Sequence, residues 1–257
     1  MSMIEFRAVS KDYQGRRIID TVSLQVEAGE RVVLFGPSGC GKSTVLHLVA
    51  GLVVPDSGDI LINGELVATG GRNLREPEQR GVGMVFQDLA LWPHMTVAEN
   101  IEFGLRARGV PDKERKQRVR DMVELVSLGD YLNAKPGELS GGQQQRVAIA
   151  RTLALAPRIV LMDEPLSTLD DALNMQLRKE ILRLHSDLGF TLVYVTHNRD
   201  EAKELGTRTI YLKHGRIDAA SDAGCAALCV TSSVATVTNG LLPHQKLAGP
   251  FDGFLLH

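Results

Sequence analysis

Lys42 and Ser43 close a glycine-rich octapeptide, Gly36-Pro37-Ser38-Gly39-Cys40-Gly41-Lys42-Ser43, that fits the phosphate-loop pattern G-x-x-x-x-G-K-[ST]. A strand before it and a helix after it supply the context that this pattern requires. Glycines let main-chain N–H groups turn inward around phosphates without side-chain clashes. The helix expected over residues 43–50 adds the positive end of its dipole. Lys42 is expected to reach the β- and γ-phosphates and Ser43 to offer its hydroxyl to Mg²⁺, with Thr44 closing the ATP-binding stretch. A plain glycine turn would need neither the lysine nor the hydroxyl.

Further along, the apolar run Ile159-Val160-Leu161-Met162 ends on Asp163 and Glu164. A carboxylate at the end of a buried strand can ligate Mg²⁺ directly or through water, which suits Asp163. Glu164 beside it is the better candidate to polarise an attacking water. Gln87 ends another strand, and its amide can touch Mg²⁺ or that water. His197 follows the strand Thr191–Thr196, where an imidazole could contact the γ-phosphate. A lone glutamine or histidine in such a place is more often structural, and only the series promotes these two.

Leu139-Ser140-Gly141-Gly142-Gln143 opens a helix with Ser140 as its natural N-cap. A helix start bearing two glycines is an anion site in its own right. The phosphates already have one at residues 36–43, and one fold cannot easily aim both at the same γ-phosphate. Two copies arranged head to tail can. Each ATP would then lie between the loop of one chain and the pentapeptide of the other.

The elements that must position these residues follow from period and turn chemistry. Residues 4–9 and 21–26 alternate as strands, Ala28-Gly29-Glu30 turns the chain, and Arg31–Phe35 feeds the glycine loop. Asn63-Gly64 between two apolar runs signals a two-residue hairpin. Residues 81–86 give another strand. From 88 to about 137 the pattern turns helical and polar, with a capping box at Thr96-Val97-Ala98-Glu99. A helix over 143–156 precedes the Asp163 strand, and one over 172–188 carries Leu173, Leu177, Ile181, Leu184 and Leu188 on one face. Strands alternating with helices imply a parallel α/β core. Residues 219–257 hold one lysine and no clear period, and no role is assigned to them.

Composition narrows the class. Hydrophobic content of 44% and charged content of 23% in 257 residues are ordinary for a globular chain, enough for one large domain or two unequal ones. A net charge of −2 argues against a general nucleic-acid binder. No run reaches the roughly 18 apolar residues that span a bilayer, and the start lacks a signal-peptide layout, so cytosol is expected. Of three cysteines, Cys40 sits in the phosphate loop, and Cys225 and Cys229 have no metal partners at useful spacing, so all read as free thiols. The basic residues Arg106, Arg108, Lys113, Arg115, Lys116, Arg118 and Arg120 are interleaved with acids and read as a solvated face.

Taken together, the phosphate loop, Gln87, the pentapeptide, Asp163-Glu164 and His197 resemble the ATP-binding-cassette ATPases over about residues 3–216. Gly83-Met84-Val85-Phe86-Gln87-Asp88, Leu91-Trp92-Pro93-His94-Met95-Thr96-Val97-Ala98-Glu99-Asn100 and Arg146-Val147-Ala148-Ile149-Ala150-Arg151 look most like ATP-binding subunits of bacterial importers for sugars, polyamines, ferric iron or oxyanions. The resemblance implies a P-loop NTPase (RecA-like) α/β core with an N-terminal antiparallel β-subdomain and an inserted helical subdomain. The implied layout is an ATPase domain over 1–218, its helical part at 88–137 between core parts 1–87 and 138–218, then the short segment 219–257.

It also implies roles. Glu164, His197 and Gln87 would be catalytic, and Ser43, Gln87 and Asp163 would hold Mg²⁺. Tyr13 would stack on the adenine of ATP, Ser140, Gly141, Gly142 and Gln143 would face the partner's ATP, and Asp170 would lie in the loop that crosses the dimer. Residues 90–100 would line a groove for a permease helix. The partners implied are a second copy, membrane permease subunits and, indirectly, an extracytoplasmic substrate-binding protein, with the chain on the inner membrane face and no nucleic acid. Asn198 stands where the family usually has aspartate, and Thr168 where alanine or asparagine is commoner. Longer importer subunits add a β-rich regulatory domain of about 100 residues, for which 219–257 is too short. The competing expectations are a soluble cassette ATPase for assembly or repair, and a simple kinase or GTPase. The latter lacks an Asn-Lys-x-Asp motif and leaves the pentapeptide without a purpose.

Overall fold

The computed structural model describes residues 2–218. Cys225 and Cys229, with the rest of 219–257, lie outside the described residues.

An antiparallel sheet is built from two hairpins. Strands β1 (Ser2–Tyr13) and β2 (Arg16–Glu27) meet at Gln14-Gly15, and β4 (Ser57–Ile62) and β5 (Glu65–Thr69) meet at Asn63-Gly64. Both turns have two consecutive positive φ values, 48° and 79° in the first and 51° and 78° in the second, as a right-twisted two-residue turn demands. Asn63-Gly64 announces this in the sequence; Gln14-Gly15 does so less plainly, and β1 and β2 run well past the expected 4–9 and 21–26. With the short β6 (Arg72–Asn73) the order is β2-β1-β4-β5-β6.

The second sheet contains β3 (Arg31–Phe35), β7 (Val82–Val85), β8 (Ile159–Asp163), β9 (Thr191–Thr196), β10 (Arg208–Lys213) and β11 (Arg216–Ile217) in the order β11-β10-β3-β9-β8-β7. All neighbours pair in parallel except β11 with β10. Every residue of β8 and β9 is buried, which is why these strands read as apolar runs without alternation. The alternation is hidden between two cores. Ile159, Leu161, Val193 and Val195 pack with Phe6 and Ile60 of the antiparallel sheet and Leu46 of α1 (Lys42–Ala50). Val160, Met162, Leu192 and Tyr194 face the helical side instead.

That side comprises α2 (Val97–Ala107), α3 (Asp112–Leu125), α4 (Gly141–Leu153), α5 (Asp171–Leu188) and α6 (Arg199–Leu205). Leu177, Ile181 and Leu184 of α5 are buried there, with Leu173 and Leu188 packed at the margin, so the expected apolar face holds. The expectation of helix from 88 onward is corrected: residues 88–96 are turns and irregular chain, and α2 begins only after Thr96, whose side chain and Glu99 close the capping box. Asn100 is the reason this stretch stays folded without a helix. Its buried amide donates to the carbonyls of Trp92, Met95 and Thr96 and its oxygen accepts from Trp92 N–H. On α3 the basic run meets its interleaved acids, with Arg115 and Lys116 on Asp112 and Arg118 on Glu114, while Arg115 also reaches Glu102 of α2.

Candidate nucleotide site

Sheet order alone gathers the chemistry. Phe35 pairs with Thr196, Val195 with Asp163, and Met162 with Val85, so the loops leaving β3, β9, β8 and β7 emerge side by side at one edge. Those loops carry residues 36–43, His197, Glu164 and Gln87. This is the carboxyl edge, where ligands of open α/β sheets bind.

The loop at 36–43 is shaped by glycine. Gly39 and Gly41 have φ of 76° and 108°, a region that side chains disfavour. A Cβ on Gly36 would lie 2.2 Å from the carbonyl oxygen of Leu212, and one on Gly41 would lie 2.7 Å from Ile19. Pro37 and Ser38 carry the turn between these tight points, and Cys40 is a buried free thiol whose pKa burial pushes up. Lys42 is almost fully buried at the start of α1, and its ammonium donates to the carbonyls of Gly36 at 2.9 Å and Pro37 at 3.1 Å. Ser43 Oγ donates to Asp163 Oδ1 at 2.9 Å, and Thr44 follows on the same helix.

Asp163 is itself buried. Loss of water pushes its carboxyl pKa upward, and the Ser43 hydroxyl pulls the other way. Glu164 sits with φ 42°, an uncommon conformation for a residue with a side chain and one that clusters at working sites. The bend is tied down by Glu164 N–H donating to the Val195 carbonyl and by the Ser167 hydroxyl donating to the Glu164 carbonyl. It directs the carboxylate between Lys42 Nζ at 3.7 Å and His197 Nδ1 at 2.9 Å. Lys42, Ser43, Asp163, Glu164 and His197 therefore form one connected cluster. Gln87 is exposed at the adjoining strand end and makes no hydrogen bond within it.

Three sets stand outside that cluster. Tyr13 is exposed at the tip of the β1–β2 hairpin, whose Ile19 packs against Gly41. Ser140 caps α4, with Gln143 completing the reciprocal pair, and Gly142 lies so close under Leu173 that a Cβ there would approach to 2.7 Å. Asp170 caps α5 by accepting from Leu173 N–H. The pentapeptide and the Asp170 turn are thus packed together through Leu173. Asn198 accepts from the N–H groups of Asp200 and Glu201 and so caps α6. Its difference from the usual aspartate leaves the cap in place.

Two groups escaped the sequence reading. Arg151 donates to the carbonyls of Leu89 and Ala90, next to Gln87. Behind His197, Glu201 is buried and accepts from Tyr194 Oη at 2.9 Å and Asn174 Nδ2 at 2.8 Å. A tyrosine in the otherwise aliphatic Leu192-Val193-Tyr194-Val195 was a signal, since a buried phenol needs a partner.

For metal, no group of three His, Cys, Asp or Glu side chains among the described residues could hold an ion alone. Ser43 and Asp163 instead offer two oxygens 2.9 Å apart. That fits an ion which takes one or two protein oxygens and fills its shell with phosphate and water.

The family profile described as ABC transporter matches residues 19–167. The sn-glycerol-3-phosphate import ATP-binding protein UgpC 2 of Agrobacterium fabrum is 45% identical over 218 residues, which is 85% of this chain and 57% of that protein. The maltose/maltodextrin import ATP-binding protein MalK of Mannheimia succiniciproducens is 46% identical over 217 residues, 84% of this chain and 57% of that protein. The chain therefore spans 57% of the length of these two curated relatives. A solved dimer of the ATP-binding cassette MJ0796, in a post-hydrolysis state with ADP and Pi, matches with TM-score 0.75 and 35% identity, covering 84% of this chain and 97% of that one.

Proposed function

Because this chain belongs to the ABC transporter family, we propose that it is an ATP hydrolase that acts as a pair and powers import through a separate membrane permease. The carrying observation is the split between two anion sites. Lys42, Ser43, Asp163, Glu164 and His197 meet at one sheet edge, while the Ser140 helix start is packed elsewhere, against Leu173. A head-to-tail pair brings the second site of one copy over the phosphates held by the other.

Within that pair each side chain has a task. Phosphate oxygens replace the Gly36 and Pro37 carbonyls as acceptors for Lys42. Glu164 takes the proton of the attacking water, and His197, already on its carboxylate, holds water and γ-phosphate in line. Gln87 orients the water from the neighbouring strand end, and Tyr13 stacks on the adenine. Ser43, Asp163 and Gln87 would hold Mg²⁺, which supplies charge neutralisation at the phosphates. Ser140, Gly141, Gly142 and Gln143 offer hydroxyl and N–H donors to the partner's γ-phosphate, with Asp170 at the seam.

The partners we propose are a second copy, a permease docked at residues 90–100 and, through the permease, an extracytoplasmic binding protein. No described helix is long and apolar enough to cross a membrane, so a permease would supply the membrane path. Mixed dimers test the composite site: with Ser140→Arg in one copy and Lys42→Ala in the other, both changes fall in the same site and one intact site should still turn over, whereas loss of all turnover would refute it. Co-purification with a membrane protein tests the importer role.

A further inference from the structure

Arg151, in the last turn of α4, makes contacts that phosphate chemistry does not require. Its Nη1 donates to the Ala90 carbonyl at 2.6 Å and its Nη2 to the Leu89 carbonyl at 2.8 Å. Both acceptor residues are left-handed, with φ of 60° for Leu89 and 43° for Ala90, a conformation that non-glycine residues hold only under constraint. The guanidinium carbon also lies 5.0 Å from the Trp92 ring centre, and Trp92 packs at a tilt of 41° on Phe103 of α2 with centres 4.3 Å apart. A planar fork can span two carbonyls and lie over an indole at once, whereas the point charge of a lysine cannot.

The position of this clamp matters. Leu89 and Ala90 follow Gln87 by two and three residues, and Arg151 shares one continuous helix with Ser140. Helical rise puts Ser140 and Arg151 about 16 Å apart along a stiff rod. Gln87 serves the nucleotide of its own chain, and Ser140, on the composite-site reading above, serves the partner's. We propose that Arg151 is a positioning residue that locks the Leu89-Ala90 turn to α4, so that the Gln87 end and the Ser140 end shift as one body and the two ATP sites of the dimer sense each other. The inference rests on that composite-site reading.

Trp92 is the chain's single tryptophan, so its emission reports this contact without a label. In a Glu164→Gln background, ATP should drive dimerisation, followed by sedimentation, and shift Trp92 emission with the same midpoint. Arg151→Lys and Arg151→Met should keep ATP affinity at low protein concentration, read with a fluorescent ATP analogue. They should raise the ATP midpoint of dimerisation by about 5- to 150-fold, the span of ordinary coupling between sites, and detach the Trp92 response from it. Retained ATP affinity and an intact thermal transition show that the variants fold. Unchanged dimerisation midpoints in both variants overturn the proposal, as does loss of ATP affinity in Arg151→Lys, which would make the residue a local support of the site. A parent protein that binds no ATP, or binds it without pairing, overturns the composite-site reading instead.

Discussion

Glu164 shows how one residue gathers several demands. Its backbone is bent into the left-handed region, and its carboxylate is shared by Lys42 and His197. If that carboxylate accepts the water's proton, Glu164→Gln should slow hydrolysis by at least ~10² while leaving a long-lived ATP-bound dimer. Phosphate release assays with size-exclusion of the ATP-loaded protein measure both, and normal turnover would refute the role. Lys42 poses a cleaner case. Its buried ammonium is held by two loop carbonyls that phosphate oxygens can replace, so Lys42→Ala should abolish tight ATP binding by equilibrium titration. Undiminished affinity would remove the loop from the site. The types and spacing of these residues were legible in the sequence because phosphate chemistry needs glycine, lysine, hydroxyl and carboxylate in a fixed order. The bend at Glu164 was not, since nothing in the tetrapeptide Asp163-Glu164-Pro165-Leu166 announces a positive φ.

At the scale of elements, what was readable was whatever local physics fixes. Asn63-Gly64, the Thr96 and Ser140 caps, and the α5 face all declared themselves by turn or cap chemistry or by period. Tertiary pairings did not, because Tyr194, Glu201 and Asn174 lie on three elements that sequence spacing cannot relate. Tyr194→Phe should leave a buried Glu201 oxygen short of a donor and destabilise the fold by about 1–3 kcal/mol in chemical denaturation. An unchanged transition would show that the network is dispensable. His185 gives α5 a pH signature. Burial, then the Arg31 charge, holds its pKa below the ordinary 6.5, while its Nε2 meets the Gly29 carbonyl at 3.1 Å and its ring meets Phe190. The unfolded chain therefore takes the proton first as pH falls. Stability from the neutral ring is present above about pH 6.5 and is lost as pH drops through the lower folded value. His185→Gln should flatten the fall of the melting temperature between about pH 7 and pH 5. An equally steep fall in the variant would place the pH dependence elsewhere.

For the whole molecule, the proposed function turns on two glycine-bearing helix starts built on one chain, at α1 and at α4. The α1 start is committed to the cluster at the sheet edge, and the α4 start is fixed against Leu173 on the helical side. Buried β8 and β9 contribute residues to the cores on both faces of the sheet. On the proposed head-to-tail reading, the second donor set arrives on another copy. Turnover should then carry the concentration dependence of an encounter. Diluting the protein at saturating ATP should lower the rate per chain, approaching second-order behaviour once the dimer dissociates, and covalently tethered pairs should resist that loss. Tethering two chains that both carry Ser140→Arg should restore nothing, because proximity without the donor set leaves each γ-phosphate half surrounded. A dilute single chain that hydrolyses ATP at an undiminished rate would mean that one copy completes the site unaided, and the head-to-tail arrangement would have to be abandoned.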